Sequence, residues 1–169
     1  NAPHDDEYLE LHARNYPGGV FTEHVFTNMK VKDMLRFTGP LGSFFLRDTP
    51  EECSIIFLAS GTGFAPIKSI LEHVFHQEGG RHRKRNMTLY WGARTKSDLY
   101  LADLADKWQR EHDNFTFIPV LSEPLPSDNW QGRTGLVHQA VMHNFLSLEM
   151  HQVYACGVPV MVKAAYHDF

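Results

Sequence analysis

Cysteine is scarce in this chain of 169 residues, and its scarcity is informative. Cys53 and Cys156 lie far apart and make no metal-type spacing, so neither a disulfide framework nor a cysteine metal site can be read from them. They read as reduced thiols of a cytoplasmic protein. Long apolar runs are missing too. No stretch approaches the length of a membrane span, and the N-terminus lacks the basic-then-apolar layout of a signal peptide. An excess of positive charge is also absent. The 16 Lys and Arg against 20 Asp and Glu leave a net charge of -4, which gives no reason to expect a nucleic-acid partner. There is no internal repeat and no low-complexity tract. The remaining composition, 43% hydrophobic and 21% charged, is that of an ordinary globular chain, enough for one sizeable core or one domain plus part of another. The chain begins in mid-phrase at Asn1-Ala2-Pro3 and stops inside a helical pattern at Phe169, so the expectation is a piece of a longer protein.

The most organised stretch runs from Ser54 to Gly80. Ile55, Ile56, Phe57, Leu58 and Ala59 form a short, β-branched apolar run that predicts a buried strand. Ser60-Gly61-Thr62-Gly63 follows, a turn that small residues make tightly. Pro66 suits the first turn of a helix, where its missing N–H would have no partner anyway. Ile67, Ile70, Leu71, Val74 and Phe75 repeat at helical spacing until Gly79-Gly80. Strand, glycine turn and helix together aim free N–H groups and the positive end of a helix dipole at one spot, which suits a phosphate. The pattern departs from G-x-G-x-x-G: Gly61 and Gly63 are followed by Pro66, and the next strand ends in Trp91-Gly92-Ala93-Arg94 rather than an acidic residue. A glycine turn that serves packing alone is the other reading of this stretch.

Before Asp48 the segments are short. Glu7 to Ala13 alternates as a half-buried strand, and Tyr16-Pro17-Gly18-Gly19 is a turn. Val20 to Phe26 places Val20, Phe21, His24 and Val25 on one side of about two helical turns. Met34 to Phe37 and Phe44 to Leu46 are further short strands around the turn Gly39-Pro40-Leu41-Gly42. This rhythm predicts part of an antiparallel barrel or sandwich over residues 1–48. From Cys53 the rhythm becomes strand, helix, strand, helix. Strands are expected at Met87 to Trp91, Phe115 to Leu121 and Gln152 to Cys156, with Pro119 favouring an edge or a bulge. Helical faces are marked by Leu101, Leu104, Ala105 and Trp108, then by Val137, Ala140, Val141 and Phe145, and a last helix follows Pro159. The fold class is therefore α/β over residues 53–169, a doubly wound parallel sheet whose ligands bind at the carboxyl ends of its strands.

Taken in order, these turns resemble the ferredoxin–NADP reductase superfamily of flavin-dependent reductases. The resemblance rests on Leu11-His12-Ala13-Arg14 with Gly18-Gly19-Val20-Phe21-Thr22, on Gly39-Pro40-Leu41-Gly42-Ser43-Phe44, and on Gly61-Thr62-Gly63-Phe64-Ala65-Pro66. It continues in Trp91-Gly92-Ala93-Arg94 with Asp98-Leu99-Tyr100, and in Cys156-Gly157-Val158-Pro159. Each segment alone is weak, and their shared order is what makes the match specific. Within the superfamily the chain looks most like the oxygenase-reductase and CDP-6-deoxy-delta-3,4-glucoseen reductase type. That type implies an NAD(P)H-dependent flavoprotein reductase. Residues 1–48 would be the C-terminal part of an FAD-binding barrel and residues 53–169 an NAD(P)-binding domain with its last helix cut short. The resemblance implies FAD and NAD(P)H as cofactors and a [2Fe–2S] centre in a domain upstream. It implies an electron-accepting partner: a ferredoxin-type domain, an oxygenase or a dehydratase component.

It also implies roles for particular residues. Gly19, Val20, Phe21 and Thr22 would lie against the FAD pyrophosphate, with Arg14 as a charge partner; a solvated arginine is the plain alternative. Gly61, Thr62, Gly63 and Pro66 would lie under the NAD(P) pyrophosphate, with Thr62 bordering the nicotinamide. Arg94, Asp98 and Tyr100 would flank the adenosine ribose, leaving NADH and NADPH both open. Cys156 and Gly157, followed by Pro159, match the position beside the nicotinamide carbon that gives up hydride, where a thiol shapes and polarises the pocket; a small core cysteine is the alternative. Three departures stand out. The family's flavin-contacting Arg–aromatic–Ser motif, its final segment over the flavin and an iron–sulfur cysteine cluster do not occur in these residues.

Other features carry less. His73 and His76 with Glu72 could be read as ligands for a metal, but favourable charge at a helix C-terminus is the plainer reading, and no metal is assigned. Arg81 to Arg85 reads as a solvated basic turn or as a docking loop for an acidic partner. Trp130 reads as a packing residue. Two rival functions stand beside the reductase: a dehydrogenase acting directly on an organic substrate, for which no proton-transfer pair is evident near the glycine turns, and a nucleotide-binding module without turnover.

Overall fold

Five parallel strands form one sheet in the order β4-β3-β2-β1-β5. They are β1 (Ser54–Ser60), β2 (Met87–Ala93), β3 (Phe115–Leu121), β4 (Arg133–Thr134) and β5 (His151–Cys156). The computed structural model describes residues 1–5, 7–39, 41–77 and 80–169. Pro40 and Gly79 in the expected turns, and the side chains of Arg81 and Arg83 in the basic loop, lie outside the described residues.

The central strands are apolar apart from Thr88 in β2 and the serines that end β1, because both sides of the sheet are covered. Side chains alternate between the faces of β1. Ile55, Phe57 and Ala59 join one core with Ile67, Leu71 and Val74 of α2 (Phe64–His76) and with Ala105 and Trp108 of α3 (Ala102–Glu111). Ile56 and Leu58 face the other way. They meet Val137 and Val141 of α4 (Val137–Asn144) and Met161 and Ala165 of α5 (Pro159–Asp168). The helical faces expected from spacing are thus the faces that pack, with Leu101, Leu104, Phe75 and Phe145 partly buried at their rims.

β3 holds Pro119 in its ladder with β2, opposite Trp91. Its other side is covered only at Val120 and Leu121, by the two residues of β4. A residue without an N–H is tolerated there because that side is open at position 119. β4 itself falls in a loop rich in Pro and Gly and carries no periodic signal.

The first 53 residues differ from expectation. Among the described residues there, the stretches Glu7–Ala13, Met34–Phe37 and Phe44–Leu46 are not strands; they run without a ladder. A strand needs a neighbour for its N–H and C=O groups, and these stretches find none among the described residues. One helix does form, α1 (Val20–Glu23), widening into a π-turn at His24–Asn28. It buries none of its residues: Val20 and Phe21 are 90% and 52% exposed. No described helix is long and apolar enough to cross a membrane.

Candidate functional site

The strand order reverses at β1. From β1 the chain proceeds through α2 to β2 on one side, while β5 returns to pair on the other. In such sheets the crevice for ligands opens at the carboxyl ends of the strands beside that reversal. The register puts Ala59 opposite Cys156, so the turn after β1 and the turn after β5 leave the sheet side by side.

Their approach depends on glycine. Gly61 to Gly63 form a short 3-10 turn that leads into α2, with Pro66 in the first turn of that helix. A Cβ on Gly63 would stand 2.1 Å from the carbonyl oxygen of Cys156 and 2.7 Å from Cα of Gly157. Gly157 has φ of +155°, and a Cβ there would stand 2.0 Å from Oγ of Ser60. The Val158 N–H donates to that same Oγ at 3.0 Å. Only bare backbone lets the two turns touch. The Gly61 carbonyl accepts the indole N–H of Trp91 at 3.1 Å, and Trp91 stacks on Phe64 with centroids 4.0 Å apart. The turn is therefore fixed from below by a fully buried ring.

Above the turn lies a cleft of about 450 Å³. Residues 10–14 form one wall, Gly61 and Thr62 the floor, and Ser97, Asp98, Tyr100 and Leu101 the other wall. The guanidinium of Arg14 lies over Gly61, its Nη1 3.8 Å from where a Cβ would be. Asp98 is held by the backbone N–H and hydroxyl of Thr95, both at 3.2 Å, in a capping box that shapes the loop after β2. Tyr100 pairs its hydroxyl with Nδ1 of His12. Burial, with the Glu10 charge adding to it, pushes the Tyr100 hydroxyl up to about 12.

The structure thus gathers Arg14, Gly61, Thr62, Asp98 and Tyr100 around one cleft, and sets Gly63, Cys156 and Gly157 in mutual contact where β1 and β5 end, next to the cleft but not lining it. Arg94 is exposed at the end of β2, and Arg94, Pro66 and Pro159 do not line the cleft. Gly19, Val20, Phe21 and Thr22 form a separate turn. There the Thr22 hydroxyl donates back to the carbonyls of Tyr16 and Gly19, both at 3.2 Å, instead of pointing outward. The first N–H to bond back into that helix is that of Glu23, to Gly19 at 2.8 Å, so the amides of residues 20–22 precede the helical ladder. Burial raises the Cys156 thiol above its ordinary value, which keeps it protonated at neutral pH and disfavours nucleophilic chemistry.

Sequence reading missed two residues here. Glu10 and Lys68 form an ion pair at 2.8 Å beneath the cleft wall. Lys68 and Glu72 at helical i,i+4 spacing gave half a signal; the distant partner gave none. Arg85 also departs from the reading of a solvated turn. It is 1% exposed and donates from Nε to the Cys53 carbonyl at 2.5 Å and from Nη2 to Gln152 at 3.2 Å. Trp130 packs against the core and donates to the Arg133 carbonyl at 2.9 Å, in keeping with a packing role.

Comparison with known proteins aligns with this layout. Residues 1–46 match the family model described as an oxidoreductase FAD-binding domain, and residues 57–167 the one described as an oxidoreductase NAD-binding domain. The chain is 44% identical over 161 residues to protein RfbI of Salmonella typhimurium, covering 95% of this chain and 46% of that protein. It is 39% identical over 169 residues to the CDP-6-deoxy-L-threo-D-glycero-4-hexulose-3-dehydrase reductase of Yersinia pestis, covering 100% of this chain and 49% of that one. The crystal structure of GcoB, an Amycolatopsis cytochrome P450 reductase, superposes with a TM-score of 0.88 at 34% identity, over 100% of this chain and 50% of that one. The chain spans about half the length of the curated relatives it matches.

Proposed function

The chain belongs to the oxidoreductases that join an FAD-binding to an NAD-binding domain, and from that premise we propose that its protein is an NAD(P)H-dependent flavoprotein reductase. Electrons would pass from NAD(P)H to FAD and on to an iron–sulfur centre or a protein acceptor. The relatives named as a dehydrase reductase and a P450 reductase support an acceptor of the dehydratase or oxygenase kind. Residues 1–48 are assigned to the FAD side and 53–169 to the NAD(P) side. The free thiols support a cytoplasmic location.

The observation that carries this reading is the cleft over Gly61 and Thr62, at the carboxyl ends of parallel strands and walled by residues from both matched domains. The residues present fit a dinucleotide. The volume lies within the range of small-ligand sites, the glycine turn offers backbone at close range, and Arg14 supplies a cation over it. When both cofactors are bound, NAD(P)H supplies a hydride and FAD takes it. The chain's part is to hold and orient. Gly61, Thr62 and Gly63 receive the pyrophosphate at the start of α2, with Pro66 shaping the first turn of that helix. Asp98 and Tyr100 flank the ribose, with Arg94 exposed at the end of β2 outside the cleft lining. Arg14, expected beside the FAD pyrophosphate, has its guanidinium over Gly61, and that position supports contact with the pyrophosphate resting on the Gly61 turn instead. Cys156 and Gly157, with Pro159 turning the chain into α5, shape the nicotinamide corner, and the protonated thiol polarises it without attacking. On the FAD side, the amides of Val20, Phe21 and Thr22 suit a second pyrophosphate. Gly19 is required there because a Cβ would stand 2.6 Å from Oγ1 of Thr22.

The test is made on the full-length protein. Bound flavin should be present, and anaerobic NAD(P)H should bleach it. A protein with no flavin, or with flavin that stays oxidised under excess NADH and NADPH, overturns the reading.

A further inference from the structure

A lysine that is 6% exposed is uncommon, because taking an ammonium out of water costs several kcal/mol unless it is paired. Lys68 lies on α2 just beyond the glycine turn. Glu72, one turn along the same helix, lies 2.8 Å from its Nζ, yet such a pair forms equally well at a surface. Burial of Lys68 comes with a second carboxylate, Glu10, at 2.8 Å, delivered by the segment that walls the cleft. Burial pulls the Lys68 ammonium down, but the hydrogen bonds and charges of Glu10 and Glu72 outweigh it and hold the group above the ordinary lysine value.

The contact does not stop there. The other oxygen of Glu10 meets Nε2 of His12 at 2.7 Å, and Nδ1 of His12 meets the Tyr100 hydroxyl. The Lys68 ammonium and the His12 ring thus converge on the two oxygens of Glu10, and the Tyr100 hydroxyl meets the other nitrogen of that ring. The chain of contacts starts on α2, crosses to the FAD-side segment, and returns to the loop after β2. Arg14 stands two residues beyond His12 with its guanidinium over Gly61. Ser69, next to Lys68, adds a bond from its hydroxyl to the Asn1 carbonyl at 2.8 Å.

We infer that Lys68 is a positioning residue: through Glu10 and His12 it fixes the FAD-side segment against the NAD-side turn, setting Arg14 over Gly61 and the spacing of the two domains. This rests on the function proposed above and deepens it. Lys68 itself does not line the cleft. Its loss therefore acts on orientation, for which errors of about 1 Å cost on the order of a hundredfold in rate.

The experiment uses the full-length, FAD-loaded protein with Lys68→Met, Lys68→Arg, Glu10→Gln and the double variant Lys68→Met/Glu10→Gln. Anaerobic stopped-flow reads flavin reduction against NAD(P)H concentration. Lys68→Met and Glu10→Gln should each lower the limiting rate about tenfold, with a smaller change in the half-saturating concentration. The double variant should be no slower than the singles, and Lys68→Arg should recover most of the rate. Wild-type flavin that NAD(P)H does not bleach overturns the functional reading, and this inference with it. Wild-type bleaching with unchanged rates in the variants overturns the inference alone. Should Lys68→Met fail to fold, Glu10→Gln decides: loss of FAD or of fold in it assigns the contact to stability and overturns positioning.

Discussion

Gly63→Ala is the sharpest perturbation available at the corner between β1 and β5. The added methyl would stand 2.1 Å from the Cys156 carbonyl oxygen, 2.5 Å from its carbonyl carbon and 2.7 Å from Cα of Gly157. Ordinary contact begins near 3.5 Å, so the two turns must separate by roughly 1 Å. Every colliding atom is backbone, and none can turn away as a side chain would. Overpacking of this kind costs about 3 kcal/mol at the upper end of the usual range, which lowers Tm by roughly 6–12 °C for a domain of this size. The larger effect should be kinetic. Separating Gly63 from Cys156 by 1 Å displaces the dinucleotide turn relative to the nicotinamide corner, and such an error costs on the order of a hundredfold. Differential scanning calorimetry and anaerobic stopped-flow on the full-length protein measure the two effects. Gly92→Ala is the matched comparison, because its methyl would meet Cβ of Val137 on α4 at 2.8 Å, an equally unyielding contact away from the Gly63–Cys156 corner; a loss of about 1–3 kcal/mol with a small rate effect is expected. A Gly63→Ala protein with wild-type Tm and wild-type reduction rate would refute the claim that bare backbone is required there.

Arg85→Met leaves the partly buried Cys53 carbonyl without its guanidinium donor and should cost about 1–3 kcal/mol with no change in nucleotide affinity, as a thermal melt and a binding titration will check. Hydrogen bonds from Lys68 and His12 hold Glu10 below its ordinary value of 4.5. Its contribution is therefore present above that pH and lost as pH falls through the lower folded value, and Glu10→Gln should flatten this part of a stability–pH curve. Lys68 works in the opposite sense: its raised value means a contribution present below 10.5 that fades as pH rises through the folded value, seen as a slope that Lys68→Met removes. Tyr100→Phe should delete one tyrosinate transition with a midpoint near 12 from the ultraviolet titration of the folded protein.

The α/β half was legible because its signals are local. The run Ile55–Ala59, the glycine turn and the apolar spacing of α2 each follow from neighbours in sequence, and β3 appears with the bounds its composition predicts, Phe115–Leu121. β4 was not legible, since two residues inside a Pro- and Gly-rich loop have no period to show. The alternation in residues 7–13 was real sequence pattern, but a strand is a relation between two segments, and the pattern says nothing about whether the second is at hand. Arg85 was misread because RHRKR looks uniform along the chain, whereas the last of these residues turns inward to reach Cys53 and Gln152. Of the candidate site, the glycine contacts were visible as glycines. The Glu10–Lys68 pair was not, because no periodicity links residues 58 positions apart.

The two halves of the site are held by different physics, and this separates their failure modes. The corner of Gly63, Cys156 and Gly157 is a contact between backbones leaving adjacent, paired strands, so its geometry is inherited from the sheet and survives as long as the sheet does. The wall of residues 10–14 is not in the sheet. It is held by side chains: Glu10 on Lys68, His12 on Tyr100, and the Asn1 carbonyl on Ser69. Glu10, His12 and Tyr100 are partly exposed, and contacts at such groups are individually small in energy. The buried Lys68 keeps Glu72 as a partner when Glu10 is neutralised, so Glu10 and Tyr100 variants should shift the melting temperature little while disturbing alignment. Corner variants should therefore lose stability and rate together, whereas Glu10 and Tyr100 variants should lose mainly rate. A Glu10→Gln protein that loses several degrees of Tm but no rate would invert that order and show that the wall is held for stability.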